Sequence, residues 1–305
     1  MKNSDPIWIP ILQVERETGI SREALRKWEM RYGFPIPQRH DNGDRLYSES
    51  DLRRLRIIKG LMDGGHRPGK LVSLSMEELI QSQRSRSFVS LPAPVDELAK
   101  RIICRLHDGD VQALTYELET ALLTQGLNTF VETTLPPLIN HIGDQWGDGN
   151  LAIHQEHLFS EVLRSILQHS ALRLRGYQTG LRVLMGTAPE ELHGMGLTML
   201  QAVLSLAGVQ CINLGTQVPK SEFVKSACSY RADIVAISFS LSYPSRRIGS
   251  FITDLRLSLP ESIHLWVGGA GVDRLHSHWA NVKRFRTLGE AVMAVATFRT
   301  DAEIE

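Results

Sequence analysis

Residues 190–197, Glu-Glu-Leu-His-Gly-Met-Gly-Leu, follow the apolar run Val183-Leu184-Met185 and set one imidazole among carboxylates and small residues. Neutral imidazole is a common metal ligand, and Glu191, two positions upstream of His193, can accept the proton of the ring nitrogen facing away from the metal, which settles the tautomer. Gly194 and Gly196 leave room beside the ring. A lone loop histidine is as a rule solvated or bonded to backbone, so this chemistry needs company. The neighbouring sequence has no C-x-x-C or H-x-x-x-H spacing, which argues against a closed zinc site; Cys104, Cys211 and Cys228 are scattered and His264 lies in an apolar run. A single protein ligand suits a metal that arrives in its own macrocycle.

The elements that must position this loop change character along the chain. From residue 180 onward the runs LRVLMG, VQCINLG, DIVAISFS and IHLWVGG alternate with amphipathic stretches, predicting four parallel strands with crossover helices in a doubly wound sheet. Such sheets bind ligands at the carboxyl ends of their strands, where His193 falls. Residues 95–173 read as helices: Val111, Leu114, Leu118 and Leu122 recur at helical spacing, and the stretch EHLFSEVLRSILQ repeats its apolar pairs every four residues. Pro136 and Pro137 predict that one helix stops near Thr134 and another starts there.

The first segment reads as short helices separated by turns. One ends at Gly19; Ser21 caps a second over REALRKWEMRYG, which closes on Gly33, the order of a helix-turn-helix. Asn42-Gly43 signals a hairpin, and a further helix carries Leu52, Leu55 and Ile58 on one face. Arg22, Arg26, Lys27 and Arg31 lie on the second helix, where cations meet phosphates and an arginine can read guanine. Glu23 and Glu29 allow a plain solvated face as the alternative. Residues 81–94, QSQRSRSFVSLPAP, read as the linker, and no heptad pattern extends beyond Leu79.

The bulk properties agree with several domains. The 305 residues exceed one ordinary core, 42% of them are hydrophobic, and the formal net charge is zero. Attraction to nucleic acid must therefore come from local clustering: residues 1–70 hold 14 Lys/Arg against 10 Asp/Glu, with Arg53, Arg54 and Arg56 together. Few, widely spaced cysteines, no signal-peptide pattern and no long apolar run lead to the expectation of a cytoplasmic protein without a membrane segment.

Three motifs carry a resemblance. Glu191-Leu192-His193-Gly194-Met195-Gly196, then 41 residues, Ser238-Phe239-Ser240, then 27, and Gly268-Gly269 resemble the D-x-H-x-x-G, S-x-L and G-G pattern of cobalamin-binding domains of the methionine synthase and mutase type. The resemblance implies His193 as the lower cobalt ligand, Ser238 on the nucleotide tail, and Gly268 and Gly269 letting that tail pass. Glu191 replaces Asp and keeps the carboxylate; Ser240 replaces Leu and weakens an apolar wall. Trp146, nine residues, and Glu156-His157 are similar to the W-x(9)-E-H of helical caps in light-responsive cobalamin regulators, which implies an indole over the upper face with polar contacts beside it. In those relatives a histidine follows the tryptophan; here Gly147 does, leaving His154, His157 or water to take the vacated position, or a different upper ligand altogether. Residues 8–72 resemble the MerR family, with a wing containing Arg39, Gly43, Arg45 and Tyr47.

The expectation is therefore a multidomain α and α/β protein: an N-terminal winged helix-turn-helix (1–80), the linker (81–94), a central four-helix-type bundle (95–175) and a C-terminal Rossmann-like doubly wound parallel sheet (176–305). It resembles the CarH/LitR group of photoreceptor regulators, which implies a non-enzymatic DNA-binding repressor that carries cobalamin, adenosylcobalamin first and methylcobalamin as the alternative. Its expected partners are double-stranded promoter DNA and further copies of itself as a dimer or tetramer. Two other readings use the same residues: a corrinoid methyltransferase or methyl carrier, against which the DNA arm and the lack of a separate catalytic barrel argue, and a MerR-like regulator whose sensory half holds no cofactor.

Overall fold

The computed structural model describes residues 8–40, 43–87, 91–173, 180–274, 279 and 281–302, so Asn42 of the hairpin signal lies outside the described residues. The chain divides into two compact units, residues 1–111 with 137–159, and residues 112–136 with 160–305.

The N-terminal elements are β1 (Trp8–Pro10), α1 (Ile11–Thr18), α2 (Arg22–Tyr32), β2 (Gln38–Arg39), β3 (Arg45–Ser48), α3 (Glu49–Asp63), α4 (Pro68–Leu71) and α5 (Met76–Ser87). Gly19 and Gly33 end α1 and α2 in the left-handed region, and the Ser21 hydroxyl accepts from the Ala24 N–H at 3.2 Å, so both ends of the second helix are encoded locally. The strands form an antiparallel sheet ordered β1-β3-β2, in which β1 was not anticipated; it is three residues long and ends in proline. The core gathers Val14, Leu25, Tyr47, Leu55, Ile58 and Leu61 together with Leu79 from α5.

The expected linker begins too early. Residues 81–87 continue α5, because Gln and Arg are good helix formers and Leu79 anchors the helix in the core; the Ser82 hydroxyl turns back to the Glu78 carbonyl at 2.8 Å. The next helix, α6 (Ala93–Asp108), starts directly after Pro92.

The helical middle continues with α7 (Val111–Gln125), α8 (Leu127–Thr129), a π-helical turn (Phe130–Thr134), α9 (Leu135–Gly147) and α10 (Ile153–Arg173). Its helices are shared between the two units. The boundary falls where the prolines predict it: the π-helical turn ends at Thr134 and α9 starts at Leu135, which keeps right-handed helical dihedrals while its N–H reaches the Phe130 carbonyl, five residues back. The wider π turn lies immediately before Pro136 and Pro137, whose rings carry no N–H to donate.

The remaining elements are β4 (Arg182–Thr187), α11 (Met195–Leu206), β5 (Gln210–Asn213), α12 (Lys220–Ser229), β6 (Ile234–Ser238), α13 (Ser245–Ser258), β7 (His264–Gly268), β8 (Val282–Arg284) and α14 (Leu288–Ala302). They build a parallel sheet ordered β5-β4-β6-β7-β8. Alternation divides its residues between two layers: Leu184, Val235, Ile237 and Leu265 pack in one with Phe223 of α12 and Ile252 of α13, while Val183, Met185, Ala236 and Trp266 pack in the other with Leu204 of α11 and Ala291 of α14. The fifth strand, β8, was missed, being three residues long with two cations at the sheet edge.

Candidate functional site

Strand register brings the three spaced motifs to one end of the sheet. Thr187 of β4 lies beside Ser238 of β6, and Ser238 beside Gly268 of β7, so the loop holding His193, the Ser238-Phe239-Ser240 turn and the glycine pair all leave the carboxyl ends of adjacent strands. Buried Thr187 organises the first loop: its hydroxyl donates to the Glu191 carbonyl at 2.7 Å and accepts the Gln217 N–H at 2.9 Å. Glu190 adopts a left-handed backbone, φ 67°, and its carboxylate pairs with Arg247. That conformation is uncommon outside glycine and is held here by its surroundings.

Glu191 is the centre of the loop. Its side chain is 1% exposed, and both oxygens are fully engaged. One accepts the His193 backbone N–H at 2.9 Å and stands 2.8 Å from His193 Nδ1; the other accepts the Ser240 N–H at 2.9 Å and the Ser240 hydroxyl at 2.7 Å. Burial pushes the carboxyl upward, but the bonds from His193 and Ser240 outweigh it and hold Glu191 below its ordinary value. An ionised carboxylate only accepts, so Nδ1 carries a proton toward it, and in the neutral ring the lone pair is then on Nε2. That is the donor a metal centre requires, on a ring 44% exposed. This donor set fits the single protein ligand of a corrin-held cobalt.

Ser240 therefore has a different place from the one its motif implied. Rather than thinning an apolar wall, it closes the far side of the Glu191 clamp, and its hydroxyl lies 3.2 Å from His193 Nδ1. The glycines also have structural reasons. A Cβ on Gly196 would stand 3.3 Å from the Ser238 hydroxyl, so the first turn of α11 can approach β6. At Gly269, φ 89°, a Cβ would overlap the Phe239 carbonyl, so this glycine is required by the β6 turn itself. A Cβ on Gly268 would meet the Phe285 carbonyl at 3.4 Å.

Trp146, Glu156 and His157 belong to the other unit. Trp146 is 6% exposed and its Nε1 has no hydrogen-bond partner among the described residues, whereas His157 is exposed and its Nδ1 lies 2.9 Å from a Glu156 oxygen. A Cβ on Gly147 would come within 2.9 Å of the Gln83 amide nitrogen, so a larger residue there requires the buried Gln83 side chain to shift.

On the nucleic-acid side, Arg26, Lys27, Arg31 and Arg39 are exposed. Arg22, exposed, pairs with Glu15 at 2.8 Å, and part-buried Arg45 pairs with Glu29 at 2.9 Å. Tyr47 is a correction. Its ring is fully buried in the core, its hydroxyl has no partner among the described residues, and burial pushes its pKa up to about 12; it cannot touch DNA from there. Two of the clustered arginines are structural as well: Arg54 donates to the Val72 and Leu74 carbonyls at 2.9 and 2.8 Å and lies over Phe34, and Arg56 pairs with Glu17. Exposed Met30, 82%, next to Arg31 on α2, and exposed Ile36, 72%, were not anticipated. Their only sequence signal was Met30 standing one helical turn after Arg26.

Among the described residues no helix is long and apolar enough to cross a membrane. Residues 9–72 match the MerR HTH family of regulatory proteins, and residues 98–170 and 181–297 match two B12 binding domain families. The chain is 30% identical over 273 residues to the HTH-type transcriptional repressor CarH of Myxococcus xanthus, covering 87% of this chain and 89% of that protein. It is 27% identical to the repressor CarA of the same organism, covering 86% of each. A solved structure of the Methanosarcina barkeri monomethylamine corrinoid protein superposes with a TM-score of 0.50 at 14% identity, covering 66% of this chain and 97% of that one, which speaks for the fold.

Proposed function

The chain belongs to the family of MerR-type regulatory proteins with B12 binding domains that includes CarH and CarA, and from that premise we propose a cytoplasmic transcriptional repressor whose grip on promoter DNA is set by cobalamin and by light. The observation that carries this reading is the Glu191 clamp, which commits the Nδ1 proton inward and leaves Nε2 of His193 as the metal donor. His193 would hold the cobalt, Ser238, Gly268 and Gly269 would border the nucleotide tail, and Trp146, Glu156 and His157 would shield the cofactor. Adenosylcobalamin is the proposed form, with methylcobalamin second; the cofactor supplies a cobalt–carbon bond that light can break. Gly147 has no side chain to offer the metal. Arg22, Arg26, Lys27, Arg31, Arg39 and Arg45 bind the operator, two or more copies together, so a change in assembly changes how many arms engage at once.

The test is reconstitution with adenosyl- and methylcobalamin in darkness, recording spectrum, oligomer size and operator retention before and after illumination. The wild-type protein should bind cobalamin with a histidine-ligated spectrum that His193→Ala abolishes; an identical spectrum in that variant refutes the ligand assignment. Operator binding indifferent to cofactor and light would instead support a sensory half without cofactor. Turnover of a methyl donor would support a corrinoid carrier.

A further inference from the structure

The edge strand β5 runs along the floor of a cavity of about 1250 Å³, built wholly within the unit that contains the parallel sheet. Each of its four residues is half-buried, whereas β4 is buried after its first residue. Arg164, Gln168 and Leu172 present one face of α10 to the cavity, since residues four apart share a face. Among the described residues three arginines, Arg164, Arg182 and Arg231, line it, and no aspartate or glutamate does. A concave surface with one sign of charge concentrates anions.

The arginines stand at two ends. Arg182 Nε donates to the Gln210 side chain at 3.2 Å and Nη1 to the Tyr230 carbonyl at 3.3 Å, which orients its guanidinium at the start of β5. Beside Tyr230, Arg231 is exposed and held at φ 51°, a left-handed backbone uncommon for a residue with a Cβ. Arg164 lies at the other end, its Nη1 3.4 Å from where a Cβ on Gly194 would stand; its own carboxylate neighbour, Glu161, is 3.4 Å away and exposed. Four residues of strand separate the ends by about 10 Å. Between them lie the amides of Gln168, Gln201 and Asn213, the last two bonded at 3.0 Å, and the apolar side chains of Leu197 and Ile212.

Guanidinium forks match phosphate oxygens, amides carry both donor and acceptor for the edge of a base, and an arginine plane stacks on an aromatic ring. We propose that this trench is a second effector site, which takes a nucleotide polyphosphate with its phosphates on Arg182 and Arg231 and its base toward Arg164. The proposal does not rest on the cobalamin reading. It does place a ligand against Gly194, the residue after His193, so occupancy of one site has a short physical route to the other.

The full chain, with and without cobalamin, is titrated calorimetrically with ATP, and separately with tripolyphosphate and with adenosine. ATP should bind at one per chain and more tightly than either fragment. Arg231→Gly, which accepts the left-handed backbone, should weaken ATP at least about tenfold, the loss of one charge-assisted contact, while leaving the cobalamin spectrum unchanged. Arg182→Lys retains the charge but loses the fork and should weaken it too, which covers the case in which the first variant does not fold. Lys225→Glu, at an exposed position of α12 absent from the trench lining, should have no effect. No ATP binding at millimolar concentration, or wild-type ATP affinity in both arginine variants, overturns the proposal. A changed oligomer size in those variants without nucleotide also overturns it, by assigning the trench to a second copy of the chain.

Discussion

Replacing Glu191 by glutamine tests the clamp directly, because the side chain keeps its size and loses its charge. The carboxylate now accepts from four donors, two on His193 and two on Ser240. An amide has one acceptor end and one NH2 end, and either orientation fails. With the oxygen toward His193, the NH2 faces the Ser240 N–H, and two donors oppose each other in a buried site. With the oxygen toward Ser240, the NH2 faces the His193 N–H, and Nδ1 can be satisfied only by switching tautomer, which moves the proton onto Nε2. Losing charge assistance and leaving a buried N–H unmet costs roughly 2–4 kcal/mol by typical magnitudes. Loss of a carboxylate partner behind a metal-bound histidine lowers affinity about 10- to 100-fold.

The assay pairs cobalamin titration followed by absorbance with urea denaturation of the unloaded protein from pH 3 to 7. Glu191 has its folded pKa lowered, so its contribution to stability is complete above the ordinary carboxylate value of 4.5 and is lost as pH falls through the lowered folded value. Glutamine cannot titrate, so Glu191→Gln should be less stable at neutral pH and should have a shallower acid limb. Wild-type cobalamin affinity together with an unchanged acid limb would refute the clamp as the element that orients His193.

Four further variants test the clamp and the N-terminal segment. Ser240→Ala removes the 2.7 Å hydroxyl bond but keeps the backbone donor, so it should cost about 1–2 kcal/mol and weaken cobalamin less than Glu191→Gln in the same titration. Tyr47→Phe removes a buried hydroxyl that has no partner among the described residues; melting should show equal or higher stability, and gel retardation an unchanged operator affinity, while any loss of affinity would restore Tyr47 to the DNA surface. Arg26→Ala should weaken operator binding across sequences and reduce the slope of log affinity against log salt by about 1, whereas Arg54→Ala should act through stability, since that guanidinium holds the Val72 and Leu74 carbonyls.

The legible parts of the site were those written in local spacing. The turn glycines, the Ser21 cap and the apolar strands announce themselves within a few residues; the 41 residues between the first two motifs take up α11, β5 and α12, two crossovers, and the 27 between the second and third take up α13, one crossover. The charge cluster of residues 53–56 was legible only as composition. Which arginine faces water and which holds a carbonyl depends on what folds over it, and α4 and the turn after it fold over Arg54. The linker at 81–87 misled because Ser and Arg lower apparent periodicity, although the helix they extend is anchored by Leu79.

By itself the sequence determined that one histidine would stand at the carboxyl end of a parallel sheet, behind a basic helix-turn-helix, because caps, turns and alternation act over a few residues. Only the tertiary structure decided that Ser240, 49 positions away, would share the Glu191 carboxylate, that Tyr47 would turn into the core, and that Gln83 would stand against position 147. Periodicity says which face of an element is apolar. Strand register and helix packing say which atoms then meet, and a tautomer or a buried hydroxyl is settled only by that meeting.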